Sequence, residues 1–248
     1  MRNPAVNVNL SARGSTDRWR GTALESGALR GWLTDRGSLT RRLKQASRQF
    51  RVVRLAQGRA GVCVDEAACL GDARPRGRNF IVREVLLECD GRPTVFAHSV
   101  IAAQALHGPL RWLAGLGSRP LGEALFGDPR VRRGPLAFRR LRAPDRRYLR
   151  AASQLAARGQ PVPSALWARR SKFSVCGHLL LVTEVFLPAV ACLENSLAEA
   201  LAPALRDTST PALAPALATT SEPAPVPASV PFRSGRPERT CDDSADGR

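Results

Sequence analysis

The chain predicts an α+β fold, a single domain in which helices pack over an antiparallel β-sheet. Two stretches read as β-hairpins, and apolar residues at helical spacing lie before and between them. A length of 248 residues with 44% hydrophobic content can bury one sizeable core. Composition then divides the chain into three parts: residues 1–22, a polar and pattern-poor N-terminal extension; 23–200, the folded domain; and 201–248, an Ala/Pro-rich tail expected to be disordered.

Taken in order, Leu29, Trp32 and Leu33, then Leu39 and Leu43, are spaced for two short helices broken at Gly37-Ser38, with Ser38 the N-cap of the second. Phe50 to Leu55 reads as a strand. Phe80 to Glu88, a turn at Asp90-Gly91 and Thr94 to Val100 form the first hairpin. Ala102 to Phe126 is helical in part. It contains Gly115-Leu-Gly117, but Pro120 stands where the third glycine of a dinucleotide loop belongs. The arginine-dense run from Arg130 to Arg158 reads as a solvated helix and loop, with a polyanion-binding patch as the alternative. Lys172 to Val175, a turn at Cys176-Gly177 and His178 to Leu187 form the second hairpin.

Both hairpins carry a charge inside an apolar strand. Arg83 shares its row with Ile81, Val85 and Leu87, and Glu184 shares its row with Leu180, Val182 and Phe186. Burying either one unpaired costs several kcal/mol or more, so each meets the other, a third polar group, or a polar ligand. A buried ion pair that only ties strands together, through Glu84 or Glu184, is the purely structural alternative.

Five ordered segments accompany these two residues. They are Trp32-Leu33 with Gly37-Ser-Leu-Thr-Arg-Arg-Leu43, Arg83-Glu-Val-Leu-Leu87, Leu116-Gly-Ser-Arg-Pro-Leu-Gly-Glu-Ala-Leu-Phe126, Trp167-Ala-Arg-Arg-Ser171 and Leu181-Val-Thr-Glu-Val-Phe-Leu-Pro188. Together, from Gly31 to Pro188, they resemble the chorismate pyruvate-lyase family.

The resemblance implies a chorismate lyase, which eliminates pyruvate from chorismate to give 4-hydroxybenzoate for ubiquinone biosynthesis. It implies an antiparallel sheet of about six strands, and a ligand enclosed beneath a helical flap supplied here by Gly31 to Leu43. Neither cofactor nor metal is implied, because aromatisation drives the reaction. The implied partners are the substrate chorismate and the product 4-hydroxybenzoate, bound by a monomer. Arg83 and Glu184 are the catalytic candidates. A guanidinium fork suits a substrate carboxylate, and a carboxylate can accept from the ring hydroxyl. Leu39 and Leu121 complete the substrate-binding set, through backbone groups or as apolar cover. Arg170 is a candidate support for the pocket. His98 stands where the family commonly carries arginine, and matches that charge only when protonated. Ala102 stands where a proline often follows.

Other classes fit less well. The formal charge of +17 raises polyanion binding, yet the basic residues are nearly all arginine, with Lys44 and Lys172 the only lysines, in an Ala-, Gly- and Pro-rich chain. Tyr148 is the only tyrosine, and no run interleaves aromatic with basic residues. After Ala202 five Arg face six Asp or Glu, so 33 of the 38 basic and 15 of the 21 acidic residues precede it and the basicity belongs to the domain. No specific nucleic-acid partner is therefore expected.

Six cysteines without a C-x-x-C pair, and three histidines without ligand spacing, give no metal motif. Residues 1–20 lack an apolar signal region, and Leu179 to Leu193 is too short and too interrupted for a transmembrane segment, so a cytoplasmic protein is expected. The remaining alternative is a non-catalytic module of the same fold that binds a small aromatic carboxylate.

Overall fold

A computed structural model describes residues 18–23, 26–72 and 79–193. The expected tail at 201–248, with Cys241, and most of the expected N-terminal extension lie outside the described residues. Within them, strands β1 (Phe50–Ala60), β2 (Phe80–Cys89), β3 (Arg92–Ala102), β4 (Val131–Leu141), β5 (Leu166–Val175) and β6 (His178–Phe186) build one six-stranded sheet in the order β1-β2-β3-β6-β5-β4. Every pairing is antiparallel.

Both predicted hairpins are present, each closed by a two-residue turn. Asp90 and Gly91 have φ of 49° and 74°, and Cys176 and Gly177 have 47° and 80°. Positive φ at both central residues is the turn geometry that matches strand twist, and glycine at the second position reaches it without a Cβ clash. The strands run longer than their apolar patterns. β1 continues to Ala60, paired there with Phe80 of β2, and Arg54 and Arg59 along it are exposed.

The arginine-dense run corrects the expectation of a solvated helix and loop. Residues 131–141 form β4, the other edge strand, and a helix follows only at Arg146–Ala156. Its alternation is hidden by Gly134-Pro135, which sits at a register shift between Arg133 and Leu136. Such an extra residue in one strand bends it and re-aims its side chains, and proline is tolerated there because no ladder amide is needed.

Helices cover both sheet faces. On one lie α1 (Arg30–Thr34), α2 (Leu39–Gln45) and α4 (Leu121–Gly127), with 3-10 turns at Ala103–His107 and Arg111–Gly115. α2 begins as the sequence predicts, with Ser38 Oγ accepting from the Arg41 amide at 3.3 Å. Trp32, Leu33, Leu39 and Leu43 pack from this side on Val85, Leu87, Ala97 and Phe186. On the other face lie α3 (Val64–Cys69) and α5 (Arg146–Ala156). Tyr148, Ala151 and Leu155 of α5, one helical stripe, pack on Leu86, Phe96, Ala168 and Val185. Each such fully buried large side chain contributes about 1.5–3 kcal/mol. Arg20 pairs as an isolated bridge with Phe138 of β4. Among the described residues no helix is long and apolar enough to cross a membrane.

Candidate active site

The predicted pair does not meet directly. Strand β3 lies between β2 and β6, with Arg83 opposite Ser99 and Glu184 opposite Ala97. Ser99 and Ala97 are two residues apart and so share a face. Arg83 and Glu184 therefore stand on one face, two strands and one pleat apart, about 12 Å between Cα atoms by strand spacing. Their side chains, with Leu39, Leu121, Ser99, Val182 and Arg133, line one cavity between the sheet and helices α2 and α4. All four sequence-predicted site residues are thus brought together.

Arg83 is 3% exposed. Its Nη2 donates to the carbonyls of Gly117 (3.0 Å) and Arg119 (3.1 Å), the chain leading into α4. Its Nε has no hydrogen-bond partner, and no carboxylate lies within ion-pair distance of it among the described residues. Burial, helped by the nearby Arg54, lowers its pKa to about 10. Free energy is gained if an anion reaches it.

Glu184 has a partner. Its Oε2 accepts from Arg169 Nε at 2.5 Å, and the Arg169 side chain is fully buried. Arg169 Nη1 also donates to the carbonyls of Trp32 (2.9 Å) and Asp35 (2.7 Å). One guanidinium therefore fixes the carboxylate and fastens α1 to the sheet. Sequence reasoning placed the supporting role on Arg170, but alternation turns that residue to the other face. There its Nη1 bonds Asp65 Oδ2 at 2.9 Å, and its guanidinium lies 4.2 Å from the Trp19 ring centre.

Arg133 was missed. Its Nε donates to Ser171 Oγ at 3.0 Å and its Nη1 to the carbonyls of Arg36 (2.7 Å) and Gly37 (3.3 Å), between α1 and α2. The guanidinium lies 5.3 and 5.5 Å from the rings of Phe126 and Phe173. Burial lowers its pKa, with Glu184 opposing.

His98 does not join this cavity. It faces the other side of the sheet, where Nδ1 is 3.2 Å from Glu84 Oε1 and Nε2 is 3.3 Å from Glu66 Oε1. Burial alone lowers its pKa, but the two carboxylates outweigh that and raise it to about 9. It is charged at neutral pH, within a network that also joins Arg150 to Glu84 and Arg147 to Glu66, Asp65 and Asp145. A hollow of about 400 Å³ opens beside this network. There charge answers charge, whereas the cavity of Arg83 holds cations without carboxylate partners among the described residues.

The cavity itself is small. It holds about 40 Å³, far below the roughly 300–1,000 Å³ of a site that holds a small organic ligand, and α2 and α4 form its wall opposite the sheet. The chemistry on offer is one guanidinium ready for an anion, a fixed carboxylate two strands away on the same face, and apolar cover between them.

Known proteins resemble this chain along most of its folded part. A family model described as chorismate lyase matches residues 18–194. A probable chorismate pyruvate-lyase of Thiobacillus denitrificans is 51% identical over 162 residues, 65% of this chain and 83% of that protein. One of an Azoarcus species is 50% identical over 168 residues, 67% of this chain and 87% of that protein. Among solved structures, the effector domain of PhnF from Mycobacterium smegmatis aligns with a TM-score of 0.42 at 15% identity, over 61% of this chain and 89% of that one.

Proposed function

The chain belongs to the chorismate lyase family, and from that premise we propose how its cavity performs the family's reaction. It is a chorismate pyruvate-lyase, which removes pyruvate from chorismate and leaves 4-hydroxybenzoate, the ring precursor of ubiquinone. The observation that carries the site assignment is Arg83, a buried guanidinium without a carboxylate partner among the described residues, facing the cavity that Glu184 also lines.

Arg83 receives the ring carboxylate, its Nε and a reoriented Nη supplying parallel donors. Glu184, held by Arg169, accepts from the ring hydroxyl. The ether bond to the enolpyruvyl group breaks, the ring carbon bearing the hydroxyl gives up its hydrogen, and the ring becomes aromatic. The departing enolpyruvate becomes pyruvate on protonation at its methylene carbon. Orientation in a dry site, with charge fixed in advance around the breaking bond, supplies the rate. Leu39 and Leu121 are the first residues of α2 and α4. Their amides have no acceptor inside their own helices and can meet the substrate, while their side chains cover the ring.

We propose a cytoplasmic, monomeric enzyme. Steady-state turnover of chorismate by wild type and Arg83→Ala tests the assignment. Loss of at least 100-fold in kcat/KM is expected for the variant, and unchanged kcat/KM would remove Arg83 from the site.

A further inference from the structure

Two arginines of the cavity, Arg83 and Arg133, lie within ion-pair distance of no carboxylate among the described residues. The other deeply buried arginines are answered: Arg169 by Glu184, Arg170 by Asp65, and Arg147 by Asp65, Glu66 and Asp145. Two unanswered guanidinia around one cavity call for a ligand with two anionic groups. Chorismate carries two carboxylates, whereas 4-hydroxybenzoate carries one. The proposed function gives Arg83 the ring carboxylate, leaving the carboxylate of the enolpyruvyl group without a cation.

On that reading, we propose that Arg133 receives the enolpyruvyl carboxylate and so distinguishes substrate from product. Its placement fits. The bulge at Gly134-Pro135 aims it inward, and a Cβ on Gly134 would stand 3.2 Å from the Lys172 carbonyl, so the strands approach closely there. Ser171 fixes Nε, the Arg36 and Gly37 carbonyls fix Nη1, and Phe126 and Phe173 flank the guanidinium. Nη2 makes no hydrogen bond among the described residues and is the donor left for a ligand. Arg133 lies near enough to Glu184 to interact with it electrostatically. In chorismate the enolpyruvyl ether is attached next to the ring hydroxyl that Glu184 accepts, so the second carboxylate falls on Arg133's side. Elimination breaks the link between the two carboxylates. Pyruvate then leaves with the one on Arg133, and 4-hydroxybenzoate stays on Arg83.

The same hydrogen bonds to Arg36 and Gly37 make Arg133 a fastener of the flap, so the test separates the two roles. Chorismate kcat and KM, and the Kd of 4-hydroxybenzoate, are measured for wild type, Arg133→Ala and Arg133→Lys. Recognition of the second carboxylate predicts a fall of roughly 10- to 100-fold in kcat/KM for the alanine variant, with partial rescue by lysine. Its 4-hydroxybenzoate affinity stays within about twofold of wild type, which also shows that the cavity has folded. An equal loss toward both ligands, or no loss toward either, overturns the assignment and leaves the lyase reading standing. Absence of turnover in the wild type contradicts the lyase reading itself and takes this assignment with it.

Discussion

Arg169 and Glu184 face each other across β5 and β6 with 2.5 Å between Nε and Oε2, and the same guanidinium holds the carbonyls of Trp32 and Asp35. The carboxylate of the site and the attachment of its cover thus depend on one side chain. Removing one partner of a buried pair strands the other charge. Arg169→Ala is expected to destabilise the fold by about 3–5 kcal/mol in urea denaturation and to abolish turnover. Loss of turnover with unchanged stability would show that the pair serves the site alone.

Glu184→Gln separates charge from hydrogen bonding. The amide oxygen still accepts from Arg169, so the loss of stability should stay near 1–2 kcal/mol. Turnover is expected to fall at least 100-fold because the negative charge at the ring hydroxyl is gone. Paired chemical denaturation and kcat measurements check both halves.

The cover is tight at Gly122 of α4, where a Cβ would stand 3.1 Å from Thr40 Oγ1 and 3.6 Å from Ser38 Oγ. Gly122→Val should push α4 from α2 at a cost of about 1–3 kcal/mol. With the flap loosened, 4-hydroxybenzoate should leave several-fold faster in stopped-flow displacement, relieving product inhibition.

The charged network on the opposite face gives stability a pH window. His98 is raised from 6.5 to about 9, because Glu66 and Glu84 outweigh its burial. Its contribution is therefore complete below pH 6.5 and lost as pH rises through about 9. Glu84 is lowered from 4.5 to about 2, because His98 and Arg150 outweigh its burial, so its contribution is complete above pH 4.5 and lost as pH falls through about 2. Tm should be highest between about pH 4.5 and 6.5. His98→Gln should flatten the alkaline limb, and an unchanged limb would place the titration elsewhere.

Much of this site can be read from strand alternation and turn chemistry. The turn at Cys176-Gly177 pairs Val175 with His178, and counting back along both strands places Arg169 opposite Glu184. That signal was present in the sequence, and it favours Arg169 over Arg170. The same count on the first hairpin pairs Arg83 with His98. A register shift between Leu87 and Glu88 moves its partner to Ser99 and turns His98 to the far face. Nothing in the apolar pattern marks that shift. β4 and Arg133 were illegible for a related reason, since arginine dominates both faces of an edge strand and Gly134-Pro135 breaks its period. Leu39 and Leu121 carry no chemical signature of their own. Only resemblance to the family separated them from ordinary core leucines.

The most direct test is a single-turnover time course with chorismate, following 4-hydroxybenzoate and pyruvate together for wild type and Glu184→Ala. Equal amounts of both products from the wild type, and neither from a folded Glu184→Ala, is the predicted result. A folded wild type that binds 4-hydroxybenzoate yet forms neither product would contradict the account and make the domain a binding module.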